Sequence, residues 1–362
     1  TLVYVSSNKF MRAGYGKTLR RLLGREVTLR TVIDFGDLPV FEATTYPTVL
    51  VMRKRGPAEG HTLQALTVDD IAVVDRLPEV VREQAWSQPQ ASLSAKGWAL
   101  VRPEVLALVE KLRGSGTMLG LYVEGRLYSG IKTGCNEAFV IYQETYDRLI
   151  AEDPRSAKII KPWLRGRDID RWSVNWSNEF LLWMYKGIPI EKYPVVLDHL
   201  SRFREKLVRR WEPRHGQCEW YELRPCDYYT EFEKPKMIWA KYGIKPAFAH
   251  DIYNYFCGNT VFIFPTTDLV LVGILNSKVL QWFATHTFNL VQGGYIEWIP
   301  TNVAKLPIPQ VTPAQRVAIE DLVRKLLDAR GEGPQVSEWE RKLNALVYEV
   351  YGLTEEEIAI VE

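Results

Sequence analysis

Residues 128–142 read YSGIKTGCNEAFVIY, and residues 159–171 read IIKPWLRGRDIDR. The first stretch predicts a strand, a turn bounded by Gly130 and Gly134, and a second strand, because glycine lets a backbone bend sharply or approach another group closely. The second stretch carries four cationic side chains, Lys161, Arg165, Arg167 and Arg171; Trp163 lies among them and Trp172 follows directly. Guanidinium groups beside flat rings suit phosphates and base edges.

Five short motifs follow one another along the chain, and the first two lie within the stretches above: GIKTGxNxAF at 130–139, KPxLRGRDI at 161–169, ILNSK at 274–278, GYIEW at 294–298 and KLPIP at 305–309. Together they resemble the TaqI-like target recognition domain. That domain recognises DNA sequence for adenine-specific methyltransferases and for the fused restriction–modification enzymes called type IIG. The resemblance assigns residues 119–310 to this domain and implies double-stranded DNA as the partner.

The resemblance implies that eight polar side chains contact DNA: Lys132, Thr133, Asn136, Lys161, Arg165, Arg167, Arg171 and Lys241. The sequence leaves open which of them reach base edges and which meet phosphates. A basic helix predicted over residues 194–211 is expected to follow the phosphates beside them. The alternative is that Arg165 and Arg167 are structural and pair with a nearby acid, namely Asp168, Asp170 or Glu179.

The bulk composition does not by itself indicate a nucleic-acid partner. The chain has 362 residues, of which 46% are apolar and 25% charged, as in ordinary soluble globular proteins. Its net charge is only +2, so DNA binding has to be argued from local clusters of cations. We expect a cytoplasmic prokaryotic protein without membrane contact, because no stretch is apolar enough to span a bilayer and no signal peptide is present.

The four cysteines predict reduced thiols, since no pair has the CxxC spacing and no disulfide framework is indicated. His215, Cys218 and Cys226 could together imitate a zinc site. The spacing from Cys218 to Cys226 is long and the usual paired ligands are missing, so we predict no metal site in this chain.

The beginning of the chain resembles the later motifs of γ-class adenine-specific DNA methyltransferases. The resemblance is carried by SNKFMRAGYGKxLR at 7–20, IDFGDxPVF at 33–41 and ATTYP at 43–47. It assigns residues 1–55 to the last part of a catalytic domain and implies S-adenosylmethionine as the methyl donor. Residues 56–118 are then expected to form a linker and connecting helices.

Two motifs of that family do not occur in this sequence: the Asn-Pro-Pro-Tyr word that holds the target amine, and a glycine-rich turn for the methyl donor. The chain also begins at Thr1 inside a predicted strand. We therefore expect a piece of a longer enzyme that is inactive alone, with the methyl-transfer chemistry upstream. Any nuclease, with its Mg²⁺, is expected upstream as well.

Phe41 is the one catalytic-site residue that the resemblance carries over to this chain. In the γ-class family, an aromatic residue after the Val-Phe word stacks on the adenine that has left the duplex. Stacking on an aromatic ring recovers part of the stacking energy that is lost when the base leaves the duplex. The alternative is that Phe41 is an ordinary core side chain between two strands.

Gly16, Lys17 and Thr18 imitate the end of a nucleotide-binding P-loop, and Asp34 could imitate its acidic partner. The P-loop needs a glycine five residues before Gly16, where this chain has Met11. We therefore do not predict an ATPase.

The predicted fold class is mixed α/β and α+β. It comprises a partial Rossmann-like methyltransferase sheet, a strand-rich target recognition domain and a C-terminal helical hairpin at 311–362. In the first part, we predict a buried strand at 2–5, a helix at 14–23 that Gly24 ends, and strands at 27–33 and 48–52. Later, 268–283 predicts one apolar helix, and capping boxes at Thr312, Ser337 and Thr354 predict three helix starts.

The function predicted from these patterns is sequence-specific DNA recognition within an adenine-specific, S-adenosylmethionine-dependent methyltransferase, as part of a bifunctional restriction–modification enzyme. The alternative is a non-enzymatic DNA specificity subunit that works with a separate methyltransferase chain. Methyltransferase-like words in residues 1–55 argue against that alternative, since a pure specificity subunit has no methyltransferase strands.

Overall fold

The computed structural model describes residues 1–42, 45–95, 97–288, 290–291 and 294–362. The chain divides into two units, Thr1–Glu110 and Lys111–Glu362. Ala43 and Thr44, which belong to the ATTYP word of the methyltransferase-like segment, lie outside the described residues.

The first unit is built on five strands: β1 (Leu2–Ser7), β2 (Thr28–Asp34), β3 (Pro47–Arg53), β4 (Thr62–Thr67) and β5 (Trp86–Pro89). They form one sheet in the order β1-β3-β2-β4-β5. β2 and β4 run parallel, and the other neighbouring pairs are antiparallel. The predicted mixed α/β character is confirmed, but this strand order with one parallel pair does not establish a Rossmann-like sheet.

The helices of this part of the chain are α1 (Lys9–Arg12), α2 (Lys17–Glu26), α3 (Leu77–Gln84) and α4 (Pro103–Gly114), which continues into the second unit. Two apolar clusters flank the sheet. One contains Phe10, Leu23 and Leu29, and the other contains Phe35 and Val80. Apolar residues on both faces of a sheet need covering elements on both sides, which the helices supply.

Three expectations for this unit differ from the structure. The strand at 2–5 exists, but it is an exposed edge strand and not a buried one: Leu2, Val3, Tyr4 and Val5 are each at least half exposed. α2 runs through Gly24 to Glu26. Residues 56–118, expected to form a linker and helices, also supply β4 and β5. An apolar run predicts a strand, but burial depends on what packs against it.

The second unit contains thirteen described strands, most of them two to five residues long: β6 (Gly116–Met118), β7 (Tyr128–Ser129), β8 (Val140–Tyr142), β9 (Ile160–Leu164), β10 (Glu179–Leu182), β11 (Lys236–Ala240), β12 (Tyr242–Gly243), β13 (Phe248–Asp251), β14 (Phe256–Cys257), β15 (Val261–Pro265), β16 (Leu290–Val291), β17 (Tyr295–Glu297) and β18 (Pro307–Pro309). Their sheets have the orders β14-β9-β10-β8, β13-β11-β15-β7, β12-β17-β16 and β18-β6. The first two sheets share one core, which includes Phe139, Trp163, Leu181 and Ile263.

The helices of the second unit are α5 (Leu119–Tyr122), α6 (Asn136–Phe139), α7 (Gln143–Glu152), α8 (Pro194–Ser201), α9 (Arg204–Val208), α10 (Trp211–Arg214), α11 (Leu269–Leu275), α12 (Lys278–Thr287), α13 (Pro300–Val303), α14 (Pro313–Asp328), α15 (Val336–Val350) and α16 (Glu355–Val361). Two single helices predicted from the sequence are divided. Residues 194–211 form α8, α9 and the start of α10, and 268–283 form α11 and part of α12.

The break between α11 and α12 has a clear cause. The Asn276 side chain accepts a hydrogen bond from the Phe248 backbone N–H at 3.0 Å and donates one to the Phe248 carbonyl at 2.7 Å. Ser277 then caps α12 through its hydroxyl. Asn276 thus ties the end of α11 to β13, and the Ser277 hydroxyl takes the place of a backbone partner at the start of α12, so one helix ends and the next begins.

The C-terminal helices pack onto the same unit. Gly273 of α11 lies against Ile319 and Val323 of α14 and Leu343 of α15, so the helical hairpin docks within the chain. The capping boxes at Thr312 and Thr354 are confirmed. The box at Ser337 is wrong, because α15 already begins at Val336.

Candidate nucleic-acid interface

The stretch 128–142 folds around a tight approach between two backbones. Gly130 N–H donates to the Val261 carbonyl at 2.8 Å, and Ile131 N–H donates to the Cys257 carbonyl at 2.7 Å. A Cβ on Gly130 would lie 2.0 Å from the Gly258 carbonyl oxygen, so only glycine fits at this position. β7 and β8 therefore belong to different sheets, and the loop between them lies against residues 258–260.

The stretch 159–171 reaches the same turn from the other side. Gly258 N–H donates to the Leu164 carbonyl at 3.1 Å, and Lys241 N–H donates to the Thr260 carbonyl at 2.8 Å. Gly166 also lies against Thr260. Three segments far apart in sequence thus meet at Gly258, Asn259 and Thr260, which we call the 258–260 turn.

A buried arginine holds the 130–136 loop in place. Arg210 is 8% exposed, and its guanidinium donates to the carbonyls of Thr133, Trp220 and Glu222 at 2.7–3.0 Å. Burial lowers the pKa of Arg210. Gly134, with φ of +72°, passes directly beside it. The expectation that the whole helical stretch 194–211 presents cations to phosphates is therefore wrong for Arg210.

Thr133 also has an internal role. It is 3% exposed, and its hydroxyl donates to the Asn136 side-chain oxygen at 2.5 Å while accepting from Cys135 N–H at 3.2 Å. Lys132 and Asn136, in contrast, are exposed on either side of it. Of the three sequence-predicted contacts in this loop, Lys132 and Asn136 face solvent and Thr133 orients the loop.

A cavity of about 580 Å³ opens at this place. Its lining combines exposed amides with three cations and one acid: Lys132, Thr133, Gly134, Cys135, Asn136, Glu137, Lys206, Arg224 and Asn259. Lys206 pairs with Glu137 at 2.5 Å, and Arg224 pairs with Glu212. Within the part of the chain that the structure describes, Lys132 has no ion-pair partner. The cavity is therefore cationic, polar and open to solvent.

Arg165 and Arg167 share one buried carboxylate. Glu179 lies 2.5 Å from Nε of Arg165 and 3.0 Å from Nη2 of Arg167, and its side chain is 1% exposed. Asp168 closes the turn between the two arginines, accepting from Arg165 N–H at 2.7 Å. The two guanidiniums differ in accessibility, because Arg167 is 64% exposed and Arg165 34%. The alternative pairing with Glu179 is thus present, and it leaves Arg167 facing solvent.

The remaining sequence-predicted contacts are more dispersed. Lys241 follows β11 beside the 258–260 turn and lies 3.6 Å from Glu297. Lys161 lies four residues before Arg165 on β9, about 13 Å away by strand rise, and pairs with Glu233 at 3.2 Å. Arg171 pairs with Glu340 of α15 at 3.3 Å. Of the eight predicted contacts, Lys132, Thr133 and Asn136 line the cavity. Lys241 and Arg167 lie on the segments that contact the 258–260 turn through Lys241 N–H and Gly166.

Sequence reasoning missed Asn259 and Arg224, which line the same cavity. Asn259 had a recognisable signal, because a Gly-Asn pair between two short apolar runs predicts a tight turn. Arg224 had none, since it lies outside any helix or strand and its partner Glu212 is on a separate helix.

Phe41 lies in the connection after β2 and is 51% exposed. Phe35, six residues earlier in that connection, is 3% exposed and belongs to the core. The side chain of Asp34 organises the beginning of this loop, accepting from Asn8 at 2.7 Å and from Gly36 N–H at 3.1 Å. The core interpretation of Phe41 is therefore wrong, and its ring is available to a ligand.

The glycine-rich turn Gly14–Gly16 before α2 is filled by protein. A Cβ on Gly16 would lie 2.1 Å from the Phe10 carbonyl oxygen and 2.8 Å from the Arg20 guanidinium. Arg20, 2% exposed, donates to the carbonyls of Phe10 and Ala13. Because the space at Gly16 is occupied, the turn fits neither a nucleotide phosphate nor the carboxylate of a methyl donor.

The residues of the possible zinc site do not converge. His215 stacks on Trp211, and its Nδ1 lies 2.7 Å from the Trp211 carbonyl oxygen. Across the described ranges, no group of three His, Cys, Asp or Glu side chains is placed to hold a metal ion. Within the same ranges, no helix is both long enough and apolar enough to cross a membrane.

Comparison with known proteins agrees with the sequence words. Residues 161–308 match the family of the TaqI-like C-terminal specificity domain. Over 98% of its length, the chain is 20% identical to the type II methyltransferase M.PaeR7I of Pseudomonas aeruginosa. It is 18% identical over its full length to the type II methyltransferase M.BstVI of Geobacillus stearothermophilus. The chain spans 62% and 66% of the lengths of these two relatives.

A solved structure shows a similar fold. The type IIL restriction–modification enzyme MmeI, determined in complex with DNA, superposes with a TM-score of 0.61 at 14% sequence identity. The superposition covers 99% of this chain and 48% of the MmeI chain. The resemblance to a TaqI-like specificity domain is confirmed by the family match, and the arrangement of the fold has a precedent in MmeI.

Proposed function

We propose, on the premise that residues 161–308 form a TaqI-like C-terminal specificity domain, that this chain recognises a specific sequence in double-stranded DNA. The observation that carries the proposal is the meeting of three distant segments at the 258–260 turn. Lys132 and Asn136 line the cavity at this turn, and Arg167 is exposed next to Gly166, which contacts Thr260. Cations anchor phosphates, and amides with arginine hydrogen-bond base edges, so the site has the groups for both kinds of contact.

The recognition would serve methylation of adenine by a longer protein. Similarity to type II methyltransferases along nearly the whole chain, including the first unit, supports a methyltransferase parent over a non-enzymatic specificity subunit. Adenine as the target base, S-adenosylmethionine as donor and a Rossmann-like identity for the first sheet remain parts of this proposal. The exposed ring of Phe41 supports its proposed role as a stacking face for an extruded base.

Salt-dependent binding of the purified chain to duplex DNA tests the proposal. Neutralisation of phosphates by lysine and arginine releases counterions, so affinity has to fall steeply between low and physiological salt. The measurement is fluorescence anisotropy with a labelled mixed-sequence duplex. We expect dissociation constants of roughly 10⁻⁶ M or weaker at physiological salt for non-specific sequence. An affinity that does not change with salt would contradict this function.

A second measurement separates recognition from catalysis. The glycine-rich turn before α2 is filled, and the sequence lacks the amine-holding word, so the chain alone is expected not to methylate DNA. Incubation with labelled S-adenosylmethionine and mixed-sequence DNA should leave no label in adenine. Stoichiometric labelling would show that the chain contains a complete methyltransferase site.

A further inference from the structure

We propose that Asn259 is a specificity-determining residue whose carboxamide recognises the major-groove edge of an adenine. This inference rests on the proposed function and names a contact within it. Adenine presents an acceptor at N7 and a donor at N6, and the asparagine side chain offers the complementary donor and acceptor. A phosphate offers acceptors only, so it would use half of that side chain.

Three hydrogen bonds and one packing contact hold the backbone of the 258–260 turn. Val261 N–H donates to the Gly258 carbonyl at 2.8 Å, which closes a four-residue turn with Asn259 and Thr260 at its corners. Gly258 N–H and the Thr260 carbonyl are each bound by another segment, at 3.1 and 2.8 Å. Gly258 also has no room for a side chain, since a Cβ would lie 3.0 Å from the Trp163 ring. Asn259 is therefore presented from a rigid support.

The Asn259 side chain is exposed and makes no hydrogen bond to any residue that the structure describes. The amides of Asn276 and Asn344, in contrast, are hydrogen-bonded within the protein. A rigidly presented amide with its hydrogen-bonding groups directed to solvent is suited to an external partner that supplies both donor and acceptor.

The surroundings of Asn259 fit DNA. It lines the 580 Å³ cavity together with Lys132, Lys206 and Arg224. The cations of this cavity can hold phosphates on either side of a base, while the Asn259 amide contacts the base itself. Among the residues near the turn, Asn259 is the exposed amide at its corner, where an extended base edge can approach.

Selection from a duplex library with randomised central positions tests the inference, using the full chain and sequencing of the bound fraction. The unchanged chain should enrich a motif with adenine at one position. Asn259→Ala should lose preference at that position alone, with affinity for the selected site reduced about 5- to 150-fold. Asn259→Asp should replace adenine by cytosine there, because a carboxylate accepts from the cytosine amino group.

Asn254→Asp is the matched control. Asn254 is also an exposed turn asparagine, at the other end of β14, and the substitution changes net charge equally. It should leave the selected motif unchanged, and melting temperatures of all variants should equal that of the unchanged chain. Variants of Asn259 that keep the adenine preference, or that weaken all sequences alike, would overturn the inference. An unchanged chain that selects no motif would instead overturn the proposed function on which the inference rests.

Discussion

Gly130 lies so close to Gly258 that a methyl group on Gly130 would be 2.0 Å from the Gly258 carbonyl oxygen. This approach joins the 130–136 loop to the 258–260 turn, and we expect Gly130→Ala to force the two backbones apart. The substitution should destabilise the protein by about 1–3 kcal/mol or more, the range for inserted bulk in a packed site. The midpoint of urea denaturation measures the loss.

Gly114→Ala is the control for that substitution, because a Cβ at Gly114 meets no heavy atom within 4 Å. Its midpoint should stay close to that of the unchanged protein. Equal midpoints for both variants would show that the approach at Gly130 has no energetic consequence.

The two arginines that share Glu179 should respond differently to removal. Arg167 is mostly exposed, so Arg167→Ala should change the free energy of unfolding by about 1 kcal/mol or less and weaken DNA binding. Removal of both Arg165 and Arg167 leaves the buried Glu179 carboxylate without a cation and should cost about 3–5 kcal/mol. Thermal melts and anisotropy on the same preparations separate the two effects.

Arg324→Ala serves as the control for Arg167. Arg324 is 58% exposed and pairs with Glu320 on a surface helix, whereas Arg167 lies near both Glu179 and Asp168. It should lower neither stability nor DNA affinity appreciably. If Arg167→Ala binds DNA with unchanged affinity, Arg167 has only a structural role as a partner of Glu179.

Phe41 and Phe35 form a natural comparison. Phe41→Ala should leave the melting temperature nearly unchanged, because the side chain is half exposed, whereas Phe35→Ala should cost about 3–5 kcal/mol. In the complete enzyme, Phe41→Ala should lower the single-turnover methylation rate roughly 5- to 150-fold, as expected for one base-stacking face. Phe41→Trp should keep much of the rate. A stable Phe41→Ala enzyme that methylates at the original rate would remove Phe41 from the site.

Stability should fall on the acidic side because of His199. Burial, followed by the charges of Arg148 and Arg202, lowers the pKa of His199 in the folded protein. A histidine whose pKa is lowered by folding binds fewer protons in the folded state than in the unfolded state. The unfolding free energy is therefore unaffected by this histidine above about pH 6.5 and falls as the pH drops below that value, because protonation favours the unfolded chain. His199→Leu should therefore show a smaller loss of unfolding free energy between about pH 7.5 and 5.5.

Urea midpoints at both pH values decide the matter. Identical pH dependence in the unchanged protein and in His199→Leu would assign the acid sensitivity to other groups.

Local patterns in the sequence predicted much of the secondary structure. Apolar and β-branched runs located β2 and β3, and the capping boxes at Thr312 and Thr354 located α14 and α16. These features depend on side chains that act within a few residues of each other, through alternation, backbone capping and helix periodicity. Gly130 and Gly134 also correctly indicated a close backbone approach and a tight turn, because a residue without a Cβ permits both.

Other predictions failed because distant partners decided them. The apolar residues of β1 are exposed because that strand lies at the edge of its sheet. Arg210 looked like one more cation on a basic helix, yet three carbonyls from other segments bind its guanidinium. Asn276 divides a helix that periodicity predicted as continuous, because its side chain binds Phe248.

The sequence by itself determined the resemblance to the TaqI-like specificity domain, several of the strands and helices, and the set of residue types suited to phosphates and bases. Only the tertiary structure decided which of those residues meet. Lys132 and Asn259 come from separate segments, and backbone hydrogen bonds around the 258–260 turn bring them to one cavity. Such long-range pairings arise from packing and hydrogen-bond satisfaction across the whole fold, which no local pattern encodes.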